Sequence, residues 1–403
     1  MIKELSVPTR TIMTPGPVEA DPRVLRALST PILGQYDPAF FKLMNEVATM
    51  LKIPFETKNE VAFVVDGTSR SGLEAAMSGL IEKGDRVLVP AYGRFGYLFV
   101  ELAQRAGAEV KLIEKEWGQT FDPEEVIQAI KAFQPKVVAM VHGETSTGQI
   151  QDLKEIGAYC QGNNHIFLVD AVATFCGVPV KVDEWGIDIA IGGTQKCLSV
   201  PSGMAPITYN KRVEKILTAR YQLELGLSNQ IRNPDFIQSN YLDLSQIQRY
   251  WNSEHVNHHT EMTSMIYGIH EGLRLVQEEG LKARFARHRL NEQAMMAGIQ
   301  AMGLTLFGDL TSKMGTVTCV EIPEKVDGEA VRATLLHEFG VEIASSFGSL
   351  QGKIWRIGNM GYSSRKENVL HTLGALEATI SYHGGVVNQG AAVLAALAVY
   401  QNQ

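Results

Sequence analysis

The sequence predicts an α/β fold, with a large, mostly parallel sheet covered by helices and a smaller C-terminal α+β domain. Three observations predict it. Short apolar runs alternate with helical stretches from residue 61 to 210, a pattern that builds parallel sheets covered on both faces. Two of those runs lead into chemistry-bearing residues, Asp170 and Lys196, at the strand ends where α/β sheets meet ligands. At 403 residues the chain is long for one core, so two domains are expected, residues 1–265 and 266–403.

Residues 1–18 read as an extended arm, because Pro8, Pro15 and Pro17 forbid a helix interior. Lys3, Glu4 and Arg10 interrupt it, so no signal peptide is expected there. A short helix follows from Asp21-Pro22, with Val24, Leu25 and Leu28 on one face. Gly34-Gln35-Tyr36-Asp37-Pro38 is a loop, and a helix is expected from about Ala39 to Leu51.

Val61 to Val65 is the first apolar strand. Asp66-Gly67-Thr68-Ser69-Arg70-Ser71-Gly72 turns it into a helix, Leu73 to Ile81. Small residues at such a turn leave free N–H groups and a positive dipole end, which suit a phosphate. Arg86 to Pro90 is the next strand, and the turn that follows carries Phe95 into a helix through Arg105. Phe95 is either a packing residue or a ring for a flat ligand. Glu109 to Ile113 is a strand, and Asp122-Pro123 starts another helix.

Val137 to His142 is a strand followed by Gly143-Glu144-Thr145-Ser146-Thr147-Gly148, and His142 reads as a satisfied core histidine. Ile166 to Val169 is a buried strand whose end is Asp170. Gly186 to Ile191 is another, followed by Gly192-Gly193-Thr194-Gln195-Lys196. A lysine at the mouth of a buried strand is costly to desolvate unless it works. One use is an imine with an aldehyde cofactor, and the alternative is an ordinary loop lysine.

Ile207 to Tyr209 is a strand, while residues 210–256 are polar and irregular, with part expected at a subunit interface. Val256-Asn257-His258-His259-Thr260 is expected to open a long helix through about Glu279, with Asn257 available as its N-cap. Adjacent histidines on a helix point apart, so no metal is expected. Thr316 to Ile322 and Ile354 to Ile357 read as strands, and Gly328 to Glu338 and Lys366 to Ser381 as helices. Arg356 sits in an apolar strand, where a guanidinium wants a carboxylate, either a ligand's or the protein's own.

The net charge of -7 argues against nucleic acid or an anionic membrane as partner. The late apolar run Ala391 to Val399 is too short to span a bilayer. Cys160, Cys176, Cys197 and Cys319 have no CxxC spacing and suit a reducing compartment. A cytoplasmic protein is expected.

Taken in order, these segments resemble the class V aminotransferases, the family of alanine–glyoxylate and serine–glyoxylate aminotransferases. The likeness runs from Thr14-Pro15-Gly16-Pro17 to about Ser381, with His142 to Gly148 close to the family's HGExSTG segment. It implies the fold type I of pyridoxal-phosphate-dependent transferases, pyridoxal 5'-phosphate as cofactor, and a homodimer with active sites at the interface. Lys196 would carry the cofactor and move protons, and Asp170 would keep the ring nitrogen protonated. Thr68, Ser69 and Arg70 would hold the phosphate, and Thr260 would touch the neighbour's. Phe95 would stack on the ring, where relatives often carry Trp; Thr145 and Gln195 would lie beside it. Arg356, in Arg356-Ile357-Gly358, would hold the substrate's α-carboxylate.

The resemblance also makes the early loop reach the active site, so Gln35 becomes a substrate contact. Gln35 stands where histidine is common, and Asn257 where tyrosine is frequent. Two neutral amides suit a ureido group, which offers donors and an acceptor. The pair resembles that of (S)-ureidoglycine–glyoxylate aminotransferases of purine breakdown, which implies oxalurate and glycine as products. Alanine– or serine–glyoxylate transamination is the alternative. A desulfurase-like lyase would need a mobile cysteine before Arg356, and Glu342 to Ser349 has none. A non-catalytic binding module would not need lysine, aspartate and arginine together.

Overall fold

Runs of Val, Ile and Leu become strands buried on both faces in the main sheet of the computed structural model, which describes residues 2–227 and 231–402. Its strands are β1 (Val61–Asp66), β2 (Arg86–Ala91), β3 (Glu109–Glu114), β4 (Val137–Val141), β5 (Ile166–Asp170), β6 (Ile189–Ile191) and β7 (Met204–Tyr209). They lie in the order β1-β7-β6-β5-β4-β2-β3. Every pair from β6 to β3 is parallel. β7 runs antiparallel to both of its neighbours, β1 and β6. A polar-bounded apolar run does not announce its direction, so this reversal is a structural finding.

The helices start where the local chemistry favours it. Asp21 and Asp37 cap helices Pro22–Leu28 and Pro38–Leu51, each with proline in the first turn. Asp122 and Glu125 form a reciprocal capping box on Pro123–Phe133. Ser69–Leu80, which follows β1, has Thr68 as N-cap with no side-chain capping bond.

A second, antiparallel sheet holds β8 (Val317–Glu321), β9 (Ala344–Ser345) and β10 (Ile354–Gly358) in the order β8-β10-β9. Helices Leu281–Ala301, Gly328–Glu338 and Lys366–Tyr382 accompany it. Met295, Ile299, Leu335, Trp355 and Leu373 anchor a hydrophobic cluster separate from that of the main sheet. We propose the two clusters as a large and a small domain, divided near residue 265. The helix Thr263–Glu279 spans that division and packs Ile266, Ile269 and Leu273 into the larger cluster. The arm returns to the second unit, where Thr11–Ile12 pairs with Val341–Glu342.

The long helix begins at Thr263 rather than at Val256. The reason is Glu261, which is 3% exposed, its side chain turned inward. The Thr263 N–H then bonds the Glu261 carbonyl at 2.8 Å, a tight turn rather than a helical one. Asn257 is therefore not an N-cap; it is exposed and donates to the His259 carbonyl at 3.2 Å. The interface expectation for 210–256 includes residues 228–230, which lie outside the described ones. No described helix is long and apolar enough to cross a membrane.

Candidate active site

Parallel pairing sets the centre of the site. Asp170 on β5 faces Ile191 on β6 in register, and the chain leaving β6 carries Lys196 a few residues later. Both side chains meet in a cavity of about 290 Å³. Thr68, Ser69, Arg70, Phe95, Thr145, Asp170, Gln195 and Lys196 all line it. These residues come from five separate strand–loop junctions, at the ends of β1, β2, β4, β5 and β6, and the sheet brings them together.

The Lys196 amine is half-buried and donates to the carbonyl of Pro15 in the arm. Gly16 lies against it with φ +110°, and a Cβ there would sit 2.4 Å from Lys196 Cδ. Any other residue would be strained and would displace the lysine. Burial, and next the positive Arg356, lowers the amine to about 8. Burial raises the Asp170 carboxyl to about 7, against the Val172 N–H that donates to it at 2.9 Å. A positive group placed against Asp170 would restore its charge.

The phosphate-type end is the start of the helix Ser69–Leu80. Its first N–H groups and the Thr68 side chain, which makes no capping bond, are the kind of groups that can meet an anion. The Ser69 hydroxyl donates to Gln195 Oε1 at 3.1 Å, joining this turn to the lysine segment. Arg70 is exposed at the rim.

Phe95 is held by a residue that the sequence reading passed over. Glu144 is fully buried and accepts from the Phe95 N–H at 2.8 Å. It also accepts from the Ser146 N–H at 2.9 Å and the Ser146 hydroxyl at 2.6 Å. Gly93 makes room for it, because a Cβ there would lie 2.2 Å from Glu144 Cγ. The signal was present in the HGExSTG-like segment, whose glutamate has no ligand to explain it.

Arg356 sits on β10, the central strand of the small sheet, and is 6% exposed. Its Nη1 donates to the Thr145 carbonyl at 2.9 Å and its Nε to the Ser345 carbonyl at 2.7 Å. The Phe347 ring lies 4.4 Å from its guanidinium carbon and 4.1 Å from that of Arg94. Burial lowers Arg356 to about 10, so it stays cationic at neutral pH. No carboxylate bonds to it among the described residues, which leaves Nη2 free for a ligand's.

Four expected residues lie outside this cavity's lining: Arg356, which joins it through the Thr145 carbonyl, and Gln35, Asn257 and Thr260. Gln35 is half-buried on its loop, and Asn257 and Thr260 are exposed. Phe41, on the helix that follows the Gln35 loop, stacks on His255, two residues before Asn257, with ring centroids 4.2 Å apart. His142 is a core residue, its Nδ1 2.9 Å from the Thr174 hydroxyl, with burial lowering it to about 3. All four cysteines are buried, with no mobile thiol near Arg356.

The family model of class-V aminotransferases matches residues 35–355. The chain is 59% identical to an (S)-ureidoglycine–glyoxylate transaminase of Bacillus subtilis (strain 168), over 99% of this chain and 97% of that protein. A crystal structure of ureidoglycine-glyoxylate aminotransferase from Bacillus subtilis superposes with a TM-score of 0.95 at 60% identity, covering 99% of this chain and 100% of that one. An alanine–glyoxylate aminotransferase of Drosophila melanogaster is more distant, 33% identical over 94% of each chain. The extent of the match, together with a lysine and an aspartate facing one cavity, makes this chain a member of the class-V aminotransferase family.

Proposed function

We propose that this aminotransferase moves the amino group of (S)-ureidoglycine to glyoxylate, giving oxalurate and glycine, in the cytoplasm as part of purine breakdown. The observation that carries the reading is the 59% identity, over nearly the whole chain, to a transaminase named for that pair of substrates. The two neutral amides Gln35 and Asn257 suit a ureido group, which offers donors and an acceptor.

Pyridoxal 5'-phosphate fits the cavity. An enclosed amine, an aspartate with one hydrogen bond, a half-buried aromatic ring and an uncommitted helix N-terminus converge there. When bound, it supplies an aldehyde carbon and an electron-accepting ring. Lys196 Nζ would be its attachment point. Thr68, Ser69 and Arg70 would hold the phosphate, Thr145 and Gln195 would flank the ring, Phe95 would cover a ring face, and Asp170 would keep the ring nitrogen protonated.

Lys196 also moves the reaction's proton. Once the donor's amine has displaced it from the cofactor, the freed Nζ, lowered to about 8 and so partly neutral near pH 7, would take the proton from the donor's Cα. The same amine returns protons when glyoxylate is converted to glycine. Arg356 holds the carboxylate of donor and acceptor in turn through Nη2 and the remaining Nη1 hydrogen. One site thus serves both half-reactions in a ping-pong order.

A homodimer accounts for Gln35, Asn257 and Thr260, which lie off the lining. The Gln35 loop and the Asn257–Thr260 segment of one subunit would complete the cavity of the other, with Thr260 at its phosphate. The test compares kcat/KM for ureidoglycine and alanine, each against glyoxylate. Gln35→His and Asn257→Tyr should each lower the ureidoglycine-to-alanine ratio by roughly tenfold, the cost of about 1.4 kcal/mol in unpaired polar atoms. An unchanged ratio in both variants would remove the ureidoglycine assignment.

A further inference from the structure

Outside the cavity, Asp66, His259 and Glu261 bring one atom each to within 4.8 Å of one another. Asp66 ends β1, just before the phosphate-type turn; the other two flank Thr260. Asp66 and Glu261 are 4% and 3% exposed. Asp66 Oδ1, both Glu261 carboxylate oxygens and His259 Nε2 lack hydrogen-bond partners among the described residues. His259 Nε2 is 3.1 Å from Asp66 Oδ2 and 3.7 Å from Glu261 Oε2, and neither contact has hydrogen-bond geometry.

The histidine tautomers follow from their neighbours. His258 Nε2 lies 3.0 Å from the Asn240 carbonyl, so it carries a hydrogen. In the neutral ring its Nδ1 is then an acceptor, and it lies 2.7 Å from His259 Nδ1. His259 therefore donates from Nδ1, and in its neutral form it turns the lone pair of Nε2 toward two carboxylates. A lone pair facing two carboxylates requires something positive between them. An imidazole whose other nitrogen donates to a fixed acceptor is the arrangement that metal-ligating histidines adopt.

We propose that Asp66, His259 and Glu261 bind one divalent first-row metal ion, of the Zn²⁺ or Mn²⁺ kind. Two carboxylates match its charge, and one imidazole with two oxygens suits these ions. Ligand atoms around such an ion sit about 3.4 Å apart, so small side-chain rotations close the present spacing. A proton would satisfy one pair of atoms and leave the rest buried without partners. The ion would fasten the Asn257–Glu261 segment to the strand end ahead of Thr68. Nothing in this depends on which amino donor the enzyme uses.

The test is metal analysis of the full-length holoenzyme. Protein made in medium supplemented with Zn²⁺ or Mn²⁺, then desalted, should carry about one ion per chain by plasma mass spectrometry. Glu261→Gln and Asp66→Asn keep the side-chain shapes and should lower that content at least about tenfold. Lys196→Ala should keep its ion while losing turnover, which separates this site from the cofactor's. Chelator treatment should lower the melting temperature of the wild type and leave Glu261→Gln unmoved. Should a variant fail to fold, the wild-type ion content and chelator shift still decide. A wild type that holds no ion under either supplement carries a shared proton only, and the proposal falls. It falls equally if Glu261→Gln and Asp66→Asn retain the ion.

Discussion

Arg356 Nη1 donates to the Thr145 carbonyl at 2.9 Å, and that bond joins the small sheet to the loop after β4 of the large one. The residue proposed to grip the substrate thus touches the backbone of a residue lining the cavity. One guanidinium would set both the substrate carboxylate and the cavity wall.

Arg356→Lys keeps the charge and loses the fork. It also forfeits either the Thr145 or the Ser345 bond, because an ammonium lacks the guanidinium's geometry. Both donor and glyoxylate should suffer, by roughly 2–3 kcal/mol in kcat/KM. A loss confined to one substrate would contradict a shared carboxylate site.

Lys196→Ala should lower turnover by roughly 10²-fold to 10⁴-fold or more, the usual cost of losing a proton-transfer group. Single-turnover kinetics with added cofactor measures it. Normal transamination in this variant would mean that another amine does the work.

Asp170 gives a pH signature in the cofactor-free protein. Its carboxyl is raised to about 7 when folded, so between about pH 4 and 7 the folded state binds more protons than the unfolded one. Stability should therefore fall as pH rises through that window, and Asp170→Asn should remove that component. Lys196, lowered to about 8, acts in a different window, adding stability as pH rises from about 8 to 10.5. Thermal melts of wild type and Asp170→Asn at pH 4, 5.5 and 7 check the first statement. A constant difference between the two proteins would refute it.

Glu144→Gln puts an amide N–H₂ where the carboxylate accepts three hydrogen bonds. At least one donor, from Phe95 or Ser146, then loses its acceptor in a buried place, at a cost of about 1–3 kcal/mol. Because that donor fixes Phe95, cofactor affinity should fall more than kcat does. Equilibrium cofactor binding, read by absorbance, measures it.

Thr260→Ala should weaken cofactor retention, and dilution of the wild type should do the same. Sedimentation velocity alongside activity at falling concentration tests both. A fully active monomer would rule out a cross-subunit contact.

The sheet was legible because β4 and β5 are unbroken apolar runs, and Asp170 and Lys196 announce themselves by following such runs. The reversal of β7 was not legible, since strand direction comes from pairing with β1 and β6 across the sheet. Glu144 was visible as a motif letter but not as a holder of Phe95, because its partner is a backbone N–H brought close by folding. The helical spacing of Met262, Met265, Ile266, Ile269 and Leu273 invites extension of that helix back to Val256. What overrides that pattern is the inward turn of Glu261 toward Asp66, two residues far apart in the chain.

β1 lies at the edge of the main sheet, hydrogen-bonded to β7. During synthesis, residues 61–66 emerge long before residues 204–209, so the strand that leads to Thr68 must wait for its neighbour. Asp170 ends β5 and Lys196 follows β6, strands consecutive in the chain that can pair as soon as both are made. The two halves of the cavity therefore mature at different moments. A ribosome stalled before Met204 would display an apolar edge on an otherwise formed β4–β6 region, the species most exposed to chaperones.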